Sequence, residues 1–454
     1  METQTTEIIH HILILLLFII TVGMLAGRLA SWLRLPDVAV FIIAGMVLGR
    51  GLHLIHAESS SLINQLILTA GSALILFDGG RNLSFGGLRK VWITLSLLSV
   101  PGVIITTGIV GAAVHFLFGL DWIVSFLAAA VIASTDPASI IPVFKQVKIK
   151  ERVRETVESE SAFNDATGSI LTFSLLAAVT GGKALQAGDM AWDFVKTAVG
   201  GIAVGAVVSI ILTYLVAHFR LGVLKDYTTI AMIVVALSSY LIGDMLHVSG
   251  FMATFVAGLV WGNADTMGLS MDDKLEETGS FADNTSIMMR MLIFILLGSQ
   301  VDFQALGDYF WPSFAAVLVL MFVARPLTIL LCALPDRKVK WTWRELLFMM
   351  WVRETGVIPA ALSGMIAGMG VAHAGAISAM TFMAIMLTIL LQASTTGLVA
   401  RKLGLEITPD GQPASAGGKS IEREVRRSKS CFRPLRYDGG EQLFGVQQRF
   451  VFHE

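Results

Sequence analysis

Long apolar runs dominate the chain, and thirteen of them come close to the length of a membrane-spanning helix. At 1.5 Å per residue, about 20 apolar residues cross a hydrocarbon core of about 30 Å. The predicted spans are residues 8–27, 36–52, 62–79, 92–115, 122–145, 156–180, 192–219, 226–243, 246–262, 285–301, 311–334, 345–367 and 373–400. This pattern predicts an all-α polytopic membrane protein with thirteen transmembrane helices.

Composition agrees with a membrane protein. Of the 454 residues, 55% are hydrophobic and only 15% are charged, against about 25% charged residues in soluble domains. The mean hydropathy is +0.73. The net charge of -1 gives no support for a nucleic-acid partner, so we expect membrane lipid around the chain and no nucleic acid.

Basic residues predict the orientation. They concentrate in alternate loops, such as the one that contains Arg152, whereas the opposite loops carry only Arg50, Lys183 and Lys196. Loops rich in lysine and arginine stay in the cytoplasm. We therefore expect a multi-pass protein of the cell inner (plasma) membrane, with its N-terminus outside and its C-terminus cytoplasmic.

Four ionisable residues interrupt the apolar segments: Asp136 in the fifth, Asp165 in the sixth, Arg325 in the eleventh and Arg353 in the twelfth. Each costs about 2.5–3.5 kcal/mol at the bilayer centre. All four lie at one level, about 12–14 Å from the predicted cytoplasmic ends of their spans. Since hydrocarbon would not tolerate them singly, they must face one another or a water-filled cavity.

Two of these spans are predicted to be broken helices. Pro137 disfavours helix at Asp136, and Gly356 and Pro359 follow Arg353. If two six-helix halves are joined by the seventh span, the fifth and twelfth spans occupy equivalent places and cross in opposite senses. Interrupted helices at matching positions of an inverted repeat indicate the ion site of a transporter. Unwound backbone at Thr135 would offer carbonyl oxygens to a cation.

Structural roles compete with these functional interpretations. Asp136 could cap a kinked helix, and Asp165 could be the structural partner of an arginine. For Glu160 and Arg325 a structural ion pair is the favoured interpretation. Arg353 could either shape the potential of the site or pin the broken helix.

The motifs resemble those of a known family. The run from Glu158 to Asp165 resembles the Glu-Ser-x-x-Asn-Asp signature of sodium/proton exchangers in the monovalent cation:proton antiporter superfamily, and most of all its NhaP-type bacterial and archaeal members. Three further segments fit in the same order: Phe77-Asp78-Gly79-Gly80, Thr135-Asp136-Pro137 and Ala324-Arg325-Pro326. The resemblance covers about residues 8–404.

The resemblance implies an NhaA/NhaP-like antiporter fold that forms a homodimer. An antiporter domain at residues 1–404 would contain a core, about 92–180 and 311–400, that moves in an elevator-like motion against dimerisation helices, about 8–79 and 192–301. Residues 405–454 would form a cytoplasmic tail, for which the polar and basic composition predicts disorder.

The resemblance also assigns the site. Asp165 would bind both the cation and the proton, and Asn164 would orient the site. Na+ would be held at Asp165, Asp136, Thr135 and Ser161, with Glu160 beside it and paired with Arg325. Arg325, Arg353 and Asp78 are expected to act structurally or electrostatically, and Asp78 could equally be a water-exposed helix end.

Two departures from the family pattern bear on selectivity. Val352-Arg353-Glu354-Thr355-Gly356 stands where the family often has Leu-Arg-Gly, which adds the carboxylate of Glu354 near the site. The acidic residue of the third span is usually glutamate and here is Asp78. The choice between Na+, Li+ and K+ therefore stays open at this point.

The sequence predicts a secondary antiporter for pH homeostasis, which exchanges Na+ or Li+ for H+ by competition at Asp165. It is expected to be no enzyme and to need no cofactor beyond the transported ions. Exchange is expected to be electroneutral because Asn164 cannot titrate. A K+/H+ antiporter of the same fold is the alternative, and a sodium-coupled symporter is a weaker one. An intramembrane aspartyl protease is distant, because Thr135 and Asn164 precede the aspartates where proteases have Tyr-Asp and Gly-x-Gly-Asp.

Overall fold

The computed structural model describes residues 2–33, 36–52, 62–135, 144, 147–181, 187–217, 227–268 and 275–407. Within these ranges the regular structure is helical apart from one antiparallel bridge between Ile149 and Glu406. The first half contains α1 Glu2–Leu33, α2 Asp37–Met46, α3 Leu62–Arg81, α4 Phe85–Ser99, α5 Pro101–Phe118, α6 Trp122–Val131, α7 Glu151–Gly181 and α8 Ala187–Ala217. The second half contains α9 Thr228–Met245, α10 Gly250–Gly262, α11 Leu275–Ser299, α12 Phe303–Asp308, α13 Phe310–Val319, α14 Arg325–Ala333, α15 Trp343–Trp351, α16 Val357–Gly368, α17 Ala374–Leu387 and α18 Ser394–Leu403.

The apolar helices fall on the predicted spans. Across the part of the chain that the structure describes, nine helices are long and apolar enough to cross a membrane. Four shorter apolar helices occupy the positions of the second, fifth, ninth and twelfth predicted spans: Asp37–Gly49, Trp122–Val131, Gly250–Gly262 and Val357–Gly368. The predicted all-α, multi-span architecture is confirmed, and the number of thirteen crossings stays a prediction.

The twelfth span is interrupted, as predicted. Helix α15 ends at Trp351 and α16 begins at Val357, with non-helical backbone between them. In the fifth span, α6 already ends at Val131. The predicted break at Asp136 and Pro137 lies outside the described residues.

Two boundaries differ from the prediction. The fourth span, predicted as one helix over 92–115, contains two helices that meet at Pro101, because proline lacks the N–H that would continue the helical ladder. Residues 405–407 of the predicted disordered tail are ordered, since the Lys150 N–H donates to the carbonyl of Leu405 at 3.3 Å and the Ile407 N–H to that of Lys148 at 2.8 Å. The remainder of the predicted tail, from 408, lies outside the described residues.

The helices pack into two groups. Helices α1–α3 and α8–α11 pack mainly on one another, and α4–α7 pack with α13–α17. Asn263, at the end of α10, joins the groups by donating to the Leu83 carbonyl at 2.8 Å and accepting from the Phe85 N–H at 3.1 Å. Of the predicted membrane-buried charges, Asp165 and Arg325 lie on helices of the second group and Arg353 lies between α15 and α16; Asp136 lies outside the described residues.

Glycines allow the closest helix contact in the first group. A Cβ atom on Gly258 of α10 would lie 2.0 Å from the carbonyl oxygen of Phe77, and one on Gly80 of α3 would lie 2.1 Å from that of Phe255. Small residues let helix backbones approach closely in membranes, where packing replaces the hydrophobic effect as the driving force. Backbone lies against backbone here, so an added methyl group cannot be absorbed by a side-chain rotation.

We predict that Gly258→Ala lowers the thermal unfolding midpoint in detergent, because overpacking costs about 1–3 kcal/mol. Gly108→Ala on α5 is the matched control, since its added Cβ atom would meet nothing within 4 Å. Equal midpoints for the two variants would contradict the close approach of α3 and α10.

Candidate ion-binding site

Thr135, Ser161 and Asn164 form a buried polar cluster where the backbone leaves α6. The Thr135 N–H donates to Asn164 Oδ1 at 3.0 Å, and Asn164 Nδ2 donates to Thr135 Oγ1 at 2.8 Å. The Thr135 and Ser161 hydroxyl oxygens lie 2.8 Å apart. Asn164 therefore holds the unwound backbone on the middle of α7 through both ends of its amide.

Asp165 follows this cluster on α7 and is 1% exposed. The backbone approaches α7 closely one turn further on, where a Cβ atom on Gly168 would lie 3.0 Å from the Cβ atom of Ser134. The structure thus brings Thr135, Ser161 and Asn164 together beside Asp165. Asp136, the remaining predicted ligand, lies outside the described residues.

Glu160 and Arg325 form the expected buried ion pair, in which Nη1 and Nη2 of Arg325 donate to the two carboxylate oxygens of Glu160. Both side chains are 3% exposed. Arg325 also donates to the carbonyls of Met349 at 3.0 Å and Val352 at 3.2 Å. One guanidinium group therefore ties α7 to the end of the half-helix α15.

Arg353 connects the interrupted twelfth span to the end of α6. Its Nη2 donates to the carbonyl of Ile132 at 3.3 Å and to that of Ala133. These carbonyls lie at the C-terminal end of α6, where the helix dipole is negative and a cation is stabilising. Arg353 therefore contacts the end of α6, and both of its predicted roles, shaping the potential of the site and pinning the broken helix, stay predictions.

The sequence prediction missed Thr388 and Gln392. Both lie in the π-helical turn Thr388–Ala393 that follows α17. Thr388 Oγ1 accepts from the Thr355 N–H at 3.0 Å, and Gln392 Nε2 donates to the Trp351 carbonyl at 2.7 Å. They pair backbone groups that the break between α15 and α16 releases. The sequence signal that could have identified them is a pair of polar residues, four positions apart, within an apolar span.

Glu345 was also missed, at the start of α15. It is fully buried, closes a capping box with Thr342, and pairs with Arg152 at 2.6 Å and Lys150 at 3.3 Å. These contacts fix the N-terminal end of the half-helix rather than the polar cluster. Glu345 is therefore a structural carboxylate of the same segment.

Asp78 is not a water-exposed helix end. Helix α3 continues to Arg81, and Asp78 is 4% exposed. Its carboxylate accepts from Arg81 at 2.7 Å and from Ser286 of α11 at 3.0 Å. Asp78 lies in the first helix group, where it joins α3 to α11.

A cleft of about 360 Å³ separates the two helix groups beside the site. Its lining includes Thr69, Asp244 and Gln300 from the first group, and Ser169 and Ile358 from the second. Ser169 lies one helical turn beyond Asp165 and donates to its carbonyl oxygen at 2.8 Å. The cleft therefore reaches to within about one helical turn, roughly 5.4 Å, of Asp165.

Broken helices, a buried carboxylate and a cleft between two helix groups define a secondary ion transporter, in which ions bind where helices are interrupted. Residues 13–402 match the model of the transmembrane sodium/hydrogen exchanger family. The chain belongs to this family. The predicted class, an antiporter of Na+ and H+, is confirmed at the level of the family.

Relatives agree over most of the chain. "Na(+)/H(+) antiporter 1" of Methanocaldococcus jannaschii is 29% identical over 417 residues, which is 86% of this chain and 95% of the relative. "K(+)/H(+) antiporter NhaP" of Alkalimonas amylolytica is 26% identical over 90% of this chain and 69% of its own length. The solved structure of the sodium proton antiporter MjNhaP1 from M. jannaschii at pH 8 superposes with a TM-score of 0.75 at 28% identity, covering 87% of this chain and 99% of that one.

We predict that Glu160→Gln and Arg325→Ala each lower the thermal unfolding midpoint in detergent. Removing one partner of a buried pair costs about 3–5 kcal/mol because the other charge is stranded. The double variant Glu160→Gln/Arg325→Ala should recover part of the loss. Additive losses would show that the pair does not interact in the membrane protein.

Proposed function

We propose that this protein exchanges Na+ for H+ and that Asp165 is the site for which the two ions compete. The supporting observation is the burial of Asp165 next to the oxygens of Thr135 and Ser161, at the interruption of α6. Hard cations such as Na+ are bound by oxygen ligands, and Asn164 orients the Thr135 hydroxyl by donating to its Oγ1. Asp136 is proposed as a further ligand.

Competition at one carboxylate is sufficient for coupled exchange. Asp165 can hold a proton or a cation, and either one neutralises its charge. A neutral site can cross the membrane, whereas a bare carboxylate carries the cost of a charge in hydrocarbon. Binding of one ion therefore requires release of the other, and no additional energy source is needed.

The cation is proposed to be Na+ rather than K+. The M. jannaschii relative with 95% of its length aligned bears a sodium antiporter name. A K+/H+ antiporter is the second candidate, supported by the name of the A. amylolytica relative. Oxygen ligands alone suit both ions, so transport measurements with each cation decide between them.

The two helix groups support an elevator-like motion of a core, about 92–180 and 311–400, against dimerisation helices, about 8–79 and 192–301. In the predicted orientation, with the C-terminus in the cytoplasm, the cleft beside Asp165 opens to the outside. It would then be the route by which external Na+ reaches the site. A homodimer in the plasma membrane completes the proposal.

We predict that Asp165→Asn abolishes Na+-driven proton movement in proteoliposomes while the protein still inserts and unfolds cooperatively. Asparagine keeps the shape of the side chain but can neither take up a proton nor offer a full charge to a cation. Asp244→Asn is the control, because it removes a carboxylate from the cleft lining, outside the ion site. This variant should retain exchange. Wild-type exchange by Asp165→Asn would remove Asp165 from the mechanism.

The same vesicles, tested with Na+, Li+ and K+ separately against a pH gradient, identify the cation. Exchange with Na+ and Li+ but not K+ supports the main proposal. Exchange with K+ alone would establish the second candidate. Absence of exchange with all three would overturn antiport at this site.

Exchange is predicted to be one cation for one proton. Asn164 cannot titrate, and both ends of its amide are used in hydrogen bonds to Thr135, so Asp165 is left as the carboxylate that changes its proton. A membrane potential imposed on proteoliposomes with equal Na+ and pH on both sides should drive no net Na+ flux. A flux that follows the potential would contradict the one-to-one ratio.

A further inference from the structure

Glu354 is a buried carboxylate to which the exchange mechanism gives no role. It is 2% exposed and lies in the non-helical stretch between α15 and α16. Its chain neighbour is Arg353, whose guanidinium group holds the carbonyls that end α6. A buried carboxylate is costly unless it is paired or hydrogen-bonded, and Arg353 is the basic group that interacts with this one.

The charges of Arg325, Glu160, Arg353 and Glu354 sum to zero. Arg325 and Glu160 form one pair, and Arg353 interacts electrostatically with Glu354 as well as with that pair. Among the residues whose side chains the structure describes, the buried basic ones are Arg290, Arg325 and Arg353. Arg290 faces Asp37 in the first helix group. Because Glu354 offsets the charge of Arg353, the two residues together add no net positive charge near the ion site.

Arg353 is close enough to the ion site for its charge to matter. It contacts the Ala133 carbonyl, two residues before Thr135, and two residues span at most about 7 Å. Thr135 in turn contacts Ser161 and Asn164, which both precede Asp165 on α7. An unbalanced guanidinium charge here would repel a cation and would also disfavour protonation of Asp165.

We propose that the charge of Glu354 offsets that of Arg353 at the ion site and thereby sets the affinity of the Asp165 site for both the cation and the proton. Glu354 is a positioning residue in this role and not an ion ligand. The inference rests on the proposed exchange at Asp165. The charged groups that bear on it are Arg353, Arg325, Glu160 and Asp165; Asp136 is outside the described residues and is unchanged in every comparison below.

The test is Glu354→Gln, measured for Na+/H+ exchange in proteoliposomes across a range of pH and Na+ concentration. Removing one charge at a separation on the order of 10 Å, in a medium of effective dielectric constant about 20, changes an affinity about tenfold. We expect the KM for Na+ to rise about tenfold and the pH optimum to move about one unit towards acid, since both ions bind a less negative site more weakly. The maximal rate should change less than the KM.

Two controls separate charge from structure. Glu354→Asp keeps the charge and should keep the wild-type pH optimum. Glu345→Gln removes a buried carboxylate from the other end of α15, where Arg152 and Lys150 face it, and should leave the KM and the pH optimum unchanged even if stability falls. An unchanged KM and pH optimum for Glu354→Gln would overturn the proposal.

Two further comparisons keep the test decisive. If Glu354→Gln does not accumulate in the membrane, two other variants are compared: Arg353→Gln and the double variant Arg353→Gln/Glu354→Gln. The pH optimum of the double variant should lie about one unit further towards acid than that of Arg353→Gln. No shift between these two would also overturn the role. Absence of exchange in the wild-type protein would refute exchange itself, which is a different failure. Na+-dependent thermal stabilisation, with choline as the control ion, should likewise need about tenfold more Na+ in Glu354→Gln.

Discussion

The exclusion of water from the membrane interior is the constraint on which the rest of this structure depends. Without water, each charge and each released backbone group must find a partner inside the protein. Arg353 meets this requirement for the carbonyls of Ile132 and Ala133, and Arg325 for those of Met349 and Val352. The helices can be broken at the site because these guanidinium groups replace the hydrogen bonds of water.

In the proposed mechanism, the buried surroundings of Asp165 distinguish an ion-loaded site from an empty one. A buried polar cluster of Thr135, Ser161 and Asn164 lies beside Asp165, and Glu160 pairs with Arg325 nearby. In the proposed mechanism, the charge of Asp165 is then compensated only by the transported ion. Coupling arises from electrostatics in a medium of low dielectric constant, and a proton and a cation are equivalent in this respect.

Much of the fold could be predicted from the sequence because the bilayer fixes helix length and charge depth. The apolar segments follow from hydropathy and 1.5 Å per residue, and the break after Trp351 follows from Gly356 and Pro359. The break in the fourth span at Pro101 was missed. Proline occurs within membrane helices as well as at their ends, so its position alone does not decide between a kink and a break.

The sequence by itself determined which residues are too costly to bury without a function, and it therefore identified Asp165, Glu160 and Arg325. Only the tertiary structure decided the partners. Asp78 is buried against Arg81 and Ser286, and Arg353 binds the end of α6. Thr388 and Gln392 pair backbone groups at the break of the twelfth span. These pairings join residues up to 221 positions apart. Hydropathy reports the cost of each residue separately, whereas compensation depends on which helices become neighbours when the chain packs.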